Sequence, residues 1–257
     1  MRHRSALLAL ALGTLAATAA RAETLVFEPS QKRVEITSNF SGTTVTIYGT
    51  VERDAATVGR SGDYEVAIML VGPERSVVTR RKDRVAGIWV NRDSRTYQAP
   101  SFYAVATTRP IAEMSSPAVL KASQVGLDAL ILPESVPGGV EVLAGTASFR
   151  EAYLRLRRRE GLYAEYPGAV RRLALNLWSV TLPIPAEVPV GDYRVRTVLF
   201  ADGSPLAEQV SHFEVVKSGF EQTVADLAGH QSMLYGLISV VVSLLTGWLG
   251  GALFRRD

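Results

Sequence analysis

The 257-residue sequence has no cysteine and only three histidines. Without cysteine there is no disulfide framework and no thiolate metal site, which suits an exported chain that avoids oxidation chemistry. His3 falls in an amino-terminal leader expected to be removed, His212 in a strand and His230 about a turn before the apolar carboxyl-terminal run, so an imidazole metal centre or a nucleophilic triad lacks its parts. GxSxG, HExxH, a glycine-rich phosphate loop and CxxC are all missing as well. Carboxylates are scattered through the chain, but no spacing selects a pair for acid–base work. The chain therefore reads as non-enzymatic and without cofactor or metal, with a hydrolase kept as the remote reading.

One further absence is informative. Leu234 to Phe254, LYGLISVVVSLLTGWLGGALF, carries no charge. As a helix it would extend roughly 30 Å, the thickness of a bilayer's hydrocarbon core. A buried core helix is the weaker reading, because few core helices run so far without a polar side. Arg255 and Arg256 follow directly and predict a cytoplasmic carboxyl terminus. At the other end, Arg2 and Arg4 precede the small, apolar stretch Ser5 to Ala20, and Ala20-Arg21-Ala22 fits a signal-peptidase site. Cleavage before Glu23 is expected, with a retained second span as the alternative. Together these signals predict an inner-membrane protein with one span, its ectodomain in the periplasm and its tail in the cytoplasm.

The excess of 28 basic over 25 acidic residues belongs to targeting. Removing residues 1–22 leaves 25 of each, and setting aside residues 255–257 leaves an ectodomain of net charge −1. Nucleic acid is not an expected partner.

From residue 24 to 107 the chain alternates in strand period. Thr43 to Val51 is the clearest case, and Leu25–Phe27, Val34–Ile36, Tyr64–Leu70, Ser76–Thr79, Gly87–Val90 and Phe102–Thr107 supply shorter pieces. Short strands between turn signals suggest an immunoglobulin-like antiparallel β-sandwich, in architecture only, since no Cys–Trp–Cys core exists. Ser116-Pro117 starts a helix expected to run to Leu132 before Pro133 and Pro137-Gly138-Gly139 end it. A second helix is expected over Ala147–Gly161, with Phe149, Tyr153 and Leu156 on its apolar stripe. Strands return at Leu173–Leu182, Tyr193–Phe200 and Leu206–Val215. Gly62-Asp63-Tyr64-Glu65-Val66 recurs as Gly191-Asp192-Tyr193-Arg194-Val195, a repeated turn-into-strand corner.

The chain thus divides into a leader (1–22), a β-sandwich unit (23–109), a helical segment (110–161) and a second β unit (162–218). A juxtamembrane segment (219–233), a membrane span (234–254) and a tail (255–257) complete it. The fold class is mainly β, with a helical insert and one transmembrane helix.

Two features point to association. Ser239, Ser243, Gly247 and Gly251 recur every four residues, so small side chains line one stripe of the span. Such stripes let helices approach closely, although a plain anchor also contains them. A homodimer or a membrane-protein partner is the association this stripe suits. Basic runs form the second feature: Arg80, Arg81, Lys82 and Arg84 with Arg92 and Arg95, and Arg155, Arg157, Arg158 and Arg159 with Arg150, Arg171 and Arg172. Such runs are commonly solvated faces. In an ectodomain of net charge −1 they also mean segregated charge, suited to anionic headgroups, an acidic partner or a small anion.

The ordered set FSGTTVTIYG, GDYEVAIMLVGP, RVAGIWVN, SFYAVATTRP and PVGDYRVRTVLF, between a leader and one carboxyl-terminal span, resembles a family of transmembrane proteins described mainly from alphaproteobacteria. The resemblance covers nearly the whole chain and carries over no functional residues. It implies a Gram-negative inner-membrane protein with a periplasmic domain, often encoded near permeases of the sulfite-exporter type. The function expected is an accessory or scaffold to another membrane protein, with a periplasmic anion-binding or sensing module as the alternative.

Overall fold

The structure, a computed structural model, describes residues 24–37, 39–52, 64–136, 139–141, 147–219, 224 and 227–254. The leader with its cleavage site, the Gly62-Asp63 corner, Pro137-Gly138 and the tail 255–257 lie outside the described residues.

The described part is mainly β, arranged in largely antiparallel sheets with one carboxyl-terminal apolar helix. The strands of the first sheet are β1 (Thr24–Pro29), β3 (Thr43–Glu52), β12 (Leu177–Ile184) and β11 (Arg171–Arg172), in that order. The second sheet has the order β10 (Tyr163–Tyr166), β7 (Tyr103–Thr107), β4 (Glu65–Val71), β13 (Gly191–Ala201), β14 (Ser204–Lys217), β2 (Arg33–Ile36). A third runs β5 (Glu74–Val85), β6 (Ile88–Pro100), β8 (Glu134–Val136), β9 (Gly139–Glu141). The pairs β10–β7 and β14–β2 are parallel within sheets that are otherwise antiparallel.

Strands from either side of the helical segment lie in the same sheets. Val180 of β12 is opposite Ile47 of β3, and Val195 of β13 is opposite Leu70 of β4. The two β stretches therefore share one core. The repeated corner sequences belong to β4 and β13, which are antiparallel neighbours, so Tyr64 and Tyr193 lie near opposite ends of an adjacent pair.

Layering explains the burial patterns. In β3 and β12 buried and outward residues alternate, as in a sheet covered on one face. β7 is buried throughout and β4 nearly so, which requires cover on both faces. Inward residues of both sheets, such as Phe27, Ile47, Leu70 and Phe213, belong to one hydrophobic cluster, and Leu120, Val125, Leu127 and Leu130 of the helical segment join it. Gly49 is needed in the first sheet: a Cβ there would come 2.2 Å from the ring of Phe27, its cross-strand partner. The ring fills the space the glycine leaves.

The helical segment departs from expectation at one end. It opens with α1 (Ile111–Met114) and α2 (Pro117–Ala122). Ser116 caps α2, its side chain accepting from the Val119 amide at 3.4 Å, with Pro117 in the first turn. The helix stops ten residues before Leu132, the end the sequence predicts. Gln124 adopts φ +51°, the Val125 amide bonds the Leu120 carbonyl at 3.0 Å, and the Gln124 amide bonds that of Lys121 at 3.2 Å. That pattern is a Schellman stop, and Gly126 at φ +98° turns the chain further. α3 (Ala147–Arg159) forms where expected, but its buried residues are Tyr153 and Leu154, while Leu156 is half exposed. The last helix, α4 (Ser232–Phe254), contains the apolar run.

Candidate functional site

α4 is long and apolar enough to cross a membrane over Ser232–Gly251, and none of that window is buried against the rest of the chain. Its hydroxyls are satisfied within the helix. Ser239 Oγ donates to the Tyr235 carbonyl at 2.9 Å, Ser243 Oγ to that of Ser239 at 2.8 Å, and Thr246 Oγ1 to that of Val242 at 2.8 Å. These bonds remove the cost of bare hydroxyls in hydrocarbon. Beyond the helix's own backbone, a Cβ added at Gly247 or Gly251 would meet nothing within 4 Å. Unlike Gly49, these glycines answer no steric need of the chain's own fold.

The basic run of 80–84 lies in a long hairpin. β5 and β6 pair from Glu74–Pro100 out to Val85–Ile88, closed by Ala86 (φ +47°) and Gly87 (φ +87°). Left-handed geometry at both central residues marks a two-residue turn whose twist matches the strands. The register shifts by one residue between Asn91 and Asp93, and strand alternation on either side of that bulge assigns the side chains to faces. Arg80, Lys82 and Arg84 share one face with Trp89, Asn91 and Ser94. Arg81, Asp83, Asp93 and Arg95 are on the other, which turns toward α3.

That second face is paired. Arg81 Nη2 is 2.6 Å from Asp93 and 3.8 Å from Asp83, and Arg95 Nη1 is 3.3 Å from the buried Glu134. The Arg81 and Arg95 guanidiniums stand 6.0 and 5.9 Å from the centre of the Phe149 ring on α3. The first face carries three cations and no acid. Arg84 Nε lies 3.4 Å from the Gly87 carbonyl. At the tip, Ile88 is 68% exposed and Trp89 65%, with Val85 at 50% and Val90 at 39%.

The α3 arginines are divided between packing and solvent. Arg157 Nε donates to Tyr153 Oη at 3.2 Å and its Nη1 meets Glu160 at 2.9 Å. Arg158 lies 3.8 Å from Glu165, while Arg155 and Arg159 are exposed. Arg150 reaches the carbonyls of Leu127, Asp128 and Leu130 at 2.9–3.0 Å and so ties the 127–130 turn to the helix. A tyrosine cluster backs α3. Tyr163 Oη donates to the Pro100 carbonyl at 2.5 Å and lies 3.1 Å from Tyr153 Oη. Tyr103 Oη donates to the Gln124 carbonyl and accepts from the Gly126 amide, both at 3.2 Å. Burial pushes the Tyr103 and Tyr163 phenols far above their ordinary value, so they remain neutral donors at physiological pH.

A cleft of about 390 Å³ opens on the outer face of the second sheet, lined in part by Tyr103, Leu130, Arg194, Arg196 and Glu208. Arg196 is held bidentate by Glu208 at 2.5 and 2.9 Å and donates to the Ser123 carbonyl at 2.6 Å, and Arg194 lies 3.6 Å from Glu74. The bond to Arg196 holds the Glu208 carboxyl below its ordinary value. Both arginines are thus matched by acids, leaving a neutral cleft. His212 pairs with Asp192 at 3.1 Å on the exposed face of β14. Among the described residues, no three His, Cys, Asp or Glu side chains gather as metal ligands would.

Of the sequence-selected cations, Arg80, Lys82 and Arg84 are brought together, Arg81 is turned away, and Arg157 and Arg158 are engaged in packing and pairing. Sequence reasoning missed the apolar tip. Its signal is Gly87 followed by Ile88, Trp89 and Val90, which the sequence predicts as a separate strand.

A family model described as "Putative transmembrane protein (Alph_Pro_TM)" matches residues 24–256. No curated protein matches the chain.

Proposed function

The chain belongs to this family of transmembrane proteins, and from that premise we propose that it is a single-pass, non-enzymatic accessory or scaffold. In this reading α4 holds it in the inner membrane beside a second membrane protein or a second copy, with the β domain in the periplasm and the tail in the cytoplasm. A transporter of the sulfite-exporter type is the partner class suggested by the family resemblance. The observation that carries the reading is the stripe Ser239, Ser243, Gly247, Gly251. A Cβ at its glycines would meet nothing within 4 Å beyond the helix's own backbone, and its hydroxyls are already bonded. A smooth, small-residue stripe favours close helix packing, which drives association in lipid.

The test is Gly247→Leu with Gly251→Leu in the full chain. Insertion should be unchanged, while crosslinking of the homodimer or recovery of an identified membrane partner should fall. Val241→Leu with Leu245→Ile serves as control. If the glycine variant matches the control, α4 is only an anchor.

A second reading, a periplasmic anion-binding or sensing module, is favoured by one observation: Arg80, Lys82 and Arg84 share a face without an acid. Sulfate, sulfite or phosphate should then raise the melting temperature of the full chain by mass action. No shift with any of them removes this reading.

A further inference from the structure

We propose that the β5–β6 hairpin is a second membrane contact. Its tip enters the interfacial layer of an anionic bilayer while Arg80, Lys82 and Arg84 engage lipid phosphates. The proposal rests on the membrane anchorage of the chain and goes beyond it, since an anchored domain need not touch lipid.

Three observations select lipid over a protein groove. Both faces of the tip carry apolar side chains, Trp89 (opposite Arg84) on one and Val85, Ile88 and Val90 (the last opposite Asp83) on the other. A groove would cover one face, whereas the interfacial layer surrounds a tip on all sides. Trp89 is also the residue type that settles at the headgroup level, with its ring in the apolar boundary and its N–H toward water. The cations sit behind the tip in order: Arg84 is opposite Trp89, Lys82 opposite Asn91 and Arg80 opposite Ser94. At 3.3 Å per residue, Lys82 stands roughly 10 Å behind Val85, about the depth that separates buried apolar residues from the phosphates above them.

Insertion must be shallow, because the unpaired edge groups of β5 cannot enter dry hydrocarbon. A simpler role for the same cations is to keep a long edge strand from pairing with another chain. That role predicts no response to lipid.

The chain has no cysteine, so Ile88→Cys and Trp89→Cys each provide one site for an environment-sensitive fluorophore, on opposite faces of the tip. Val26→Cys, on the outward face of β1, is the reference site. The full chain is placed in nanodiscs of phosphatidylcholine, alone or mixed equally with phosphatidylglycerol. In the anionic discs both tip labels should shift to the blue and be quenched by brominated lipid, and the reference label should not. Replacing Arg80, Lys82 and Arg84 by Ser should abolish the effect. Each cation near an anionic surface favours binding about fivefold, so three are worth on the order of a hundredfold. Tip labels that stay water-exposed in anionic discs overturn the proposal. So does a blue shift at one face only, or one without quenching by brominated lipid, which would mean a second copy or a protein surface. A chain that failed to co-elute with the discs would overturn the anchorage itself.

Discussion

Tyr153 Oη lies 3.1 Å from Tyr163 Oη, with the two rings edge to face at 85° and their centres 5.8 Å apart. Through that contact α3 is bound to the edge of the second sheet. The donors run in one direction, from Arg157 Nε to Tyr153, from Tyr153 to Tyr163, and from Tyr163 to the Pro100 carbonyl. Because Pro100 ends β6, the chain of bonds connects α3 to the base of the projecting hairpin.

Tyr163→Phe should therefore destabilise the domain by about 1–3 kcal/mol, because a buried carbonyl loses its donor. Tyr153→Phe leaves the bond to Pro100 intact and should cost about 1 kcal/mol. Denaturant unfolding of the full chain in detergent measures both, and equal losses would mean that the Pro100 bond is not the principal one.

Alkaline pH should act through the same buried phenols. Burial pushes Tyr193 up to about 12 from its ordinary value of 10.0, and Tyr103 and Tyr163 move in the same direction. The unfolded chain releases these protons first, so their stabilisation is complete below pH 10 and declines as pH rises through the folded values. Unfolding midpoints should fall between pH 10 and 12, less steeply in Tyr193→Phe. An identical pH profile in that variant would remove Tyr193 as a source.

At the opposite sheet, Gly49→Ala should cost about 1–3 kcal/mol, because its Cβ collides with the Phe27 ring. In a Phe27→Leu background the same change should cost less. A double-mutant cycle reads the difference, and additivity of the two changes would show that the ring does not determine the glycine.

In the hairpin turn, Ala86 holds φ +47°. Ala86→Asn should relieve roughly 1 kcal/mol of left-handed strain, since Asn tolerates that region. Slower amide exchange at Val85 and Ile88 is the measurement, and unchanged exchange would mean that turn strain does not limit opening of the hairpin.

Wherever local chemistry decides the outcome, the sequence was sufficient. An uncharged run of bilayer length in α4 has few other uses, alternation made 43–51 a strand, and Ser116-Pro117 started a helix. The end of α2 was less legible, because the left-handed residue that stops it is Gln124 and not the glycine, Gly126, two residues further on. The long hairpin was hidden for a related reason. Residues 80–84 meet solvent instead of a core, so they carry no apolar alternation, and a strand held by its partner leaves no periodic trace.

What only the tertiary structure decided is which residues meet. Pairing β3 with β12, more than a hundred residues later, depends on the shape of a shared core, which no local pattern encodes. The same holds for charge. The sequence presents Arg80, Arg81, Lys82 and Arg84 as one basic run, but the two-residue period of a strand turns Arg81 toward Asp93 and leaves the other three together on the open face. Composition gives the number of charges, while register and packing determine which of them a partner can reach.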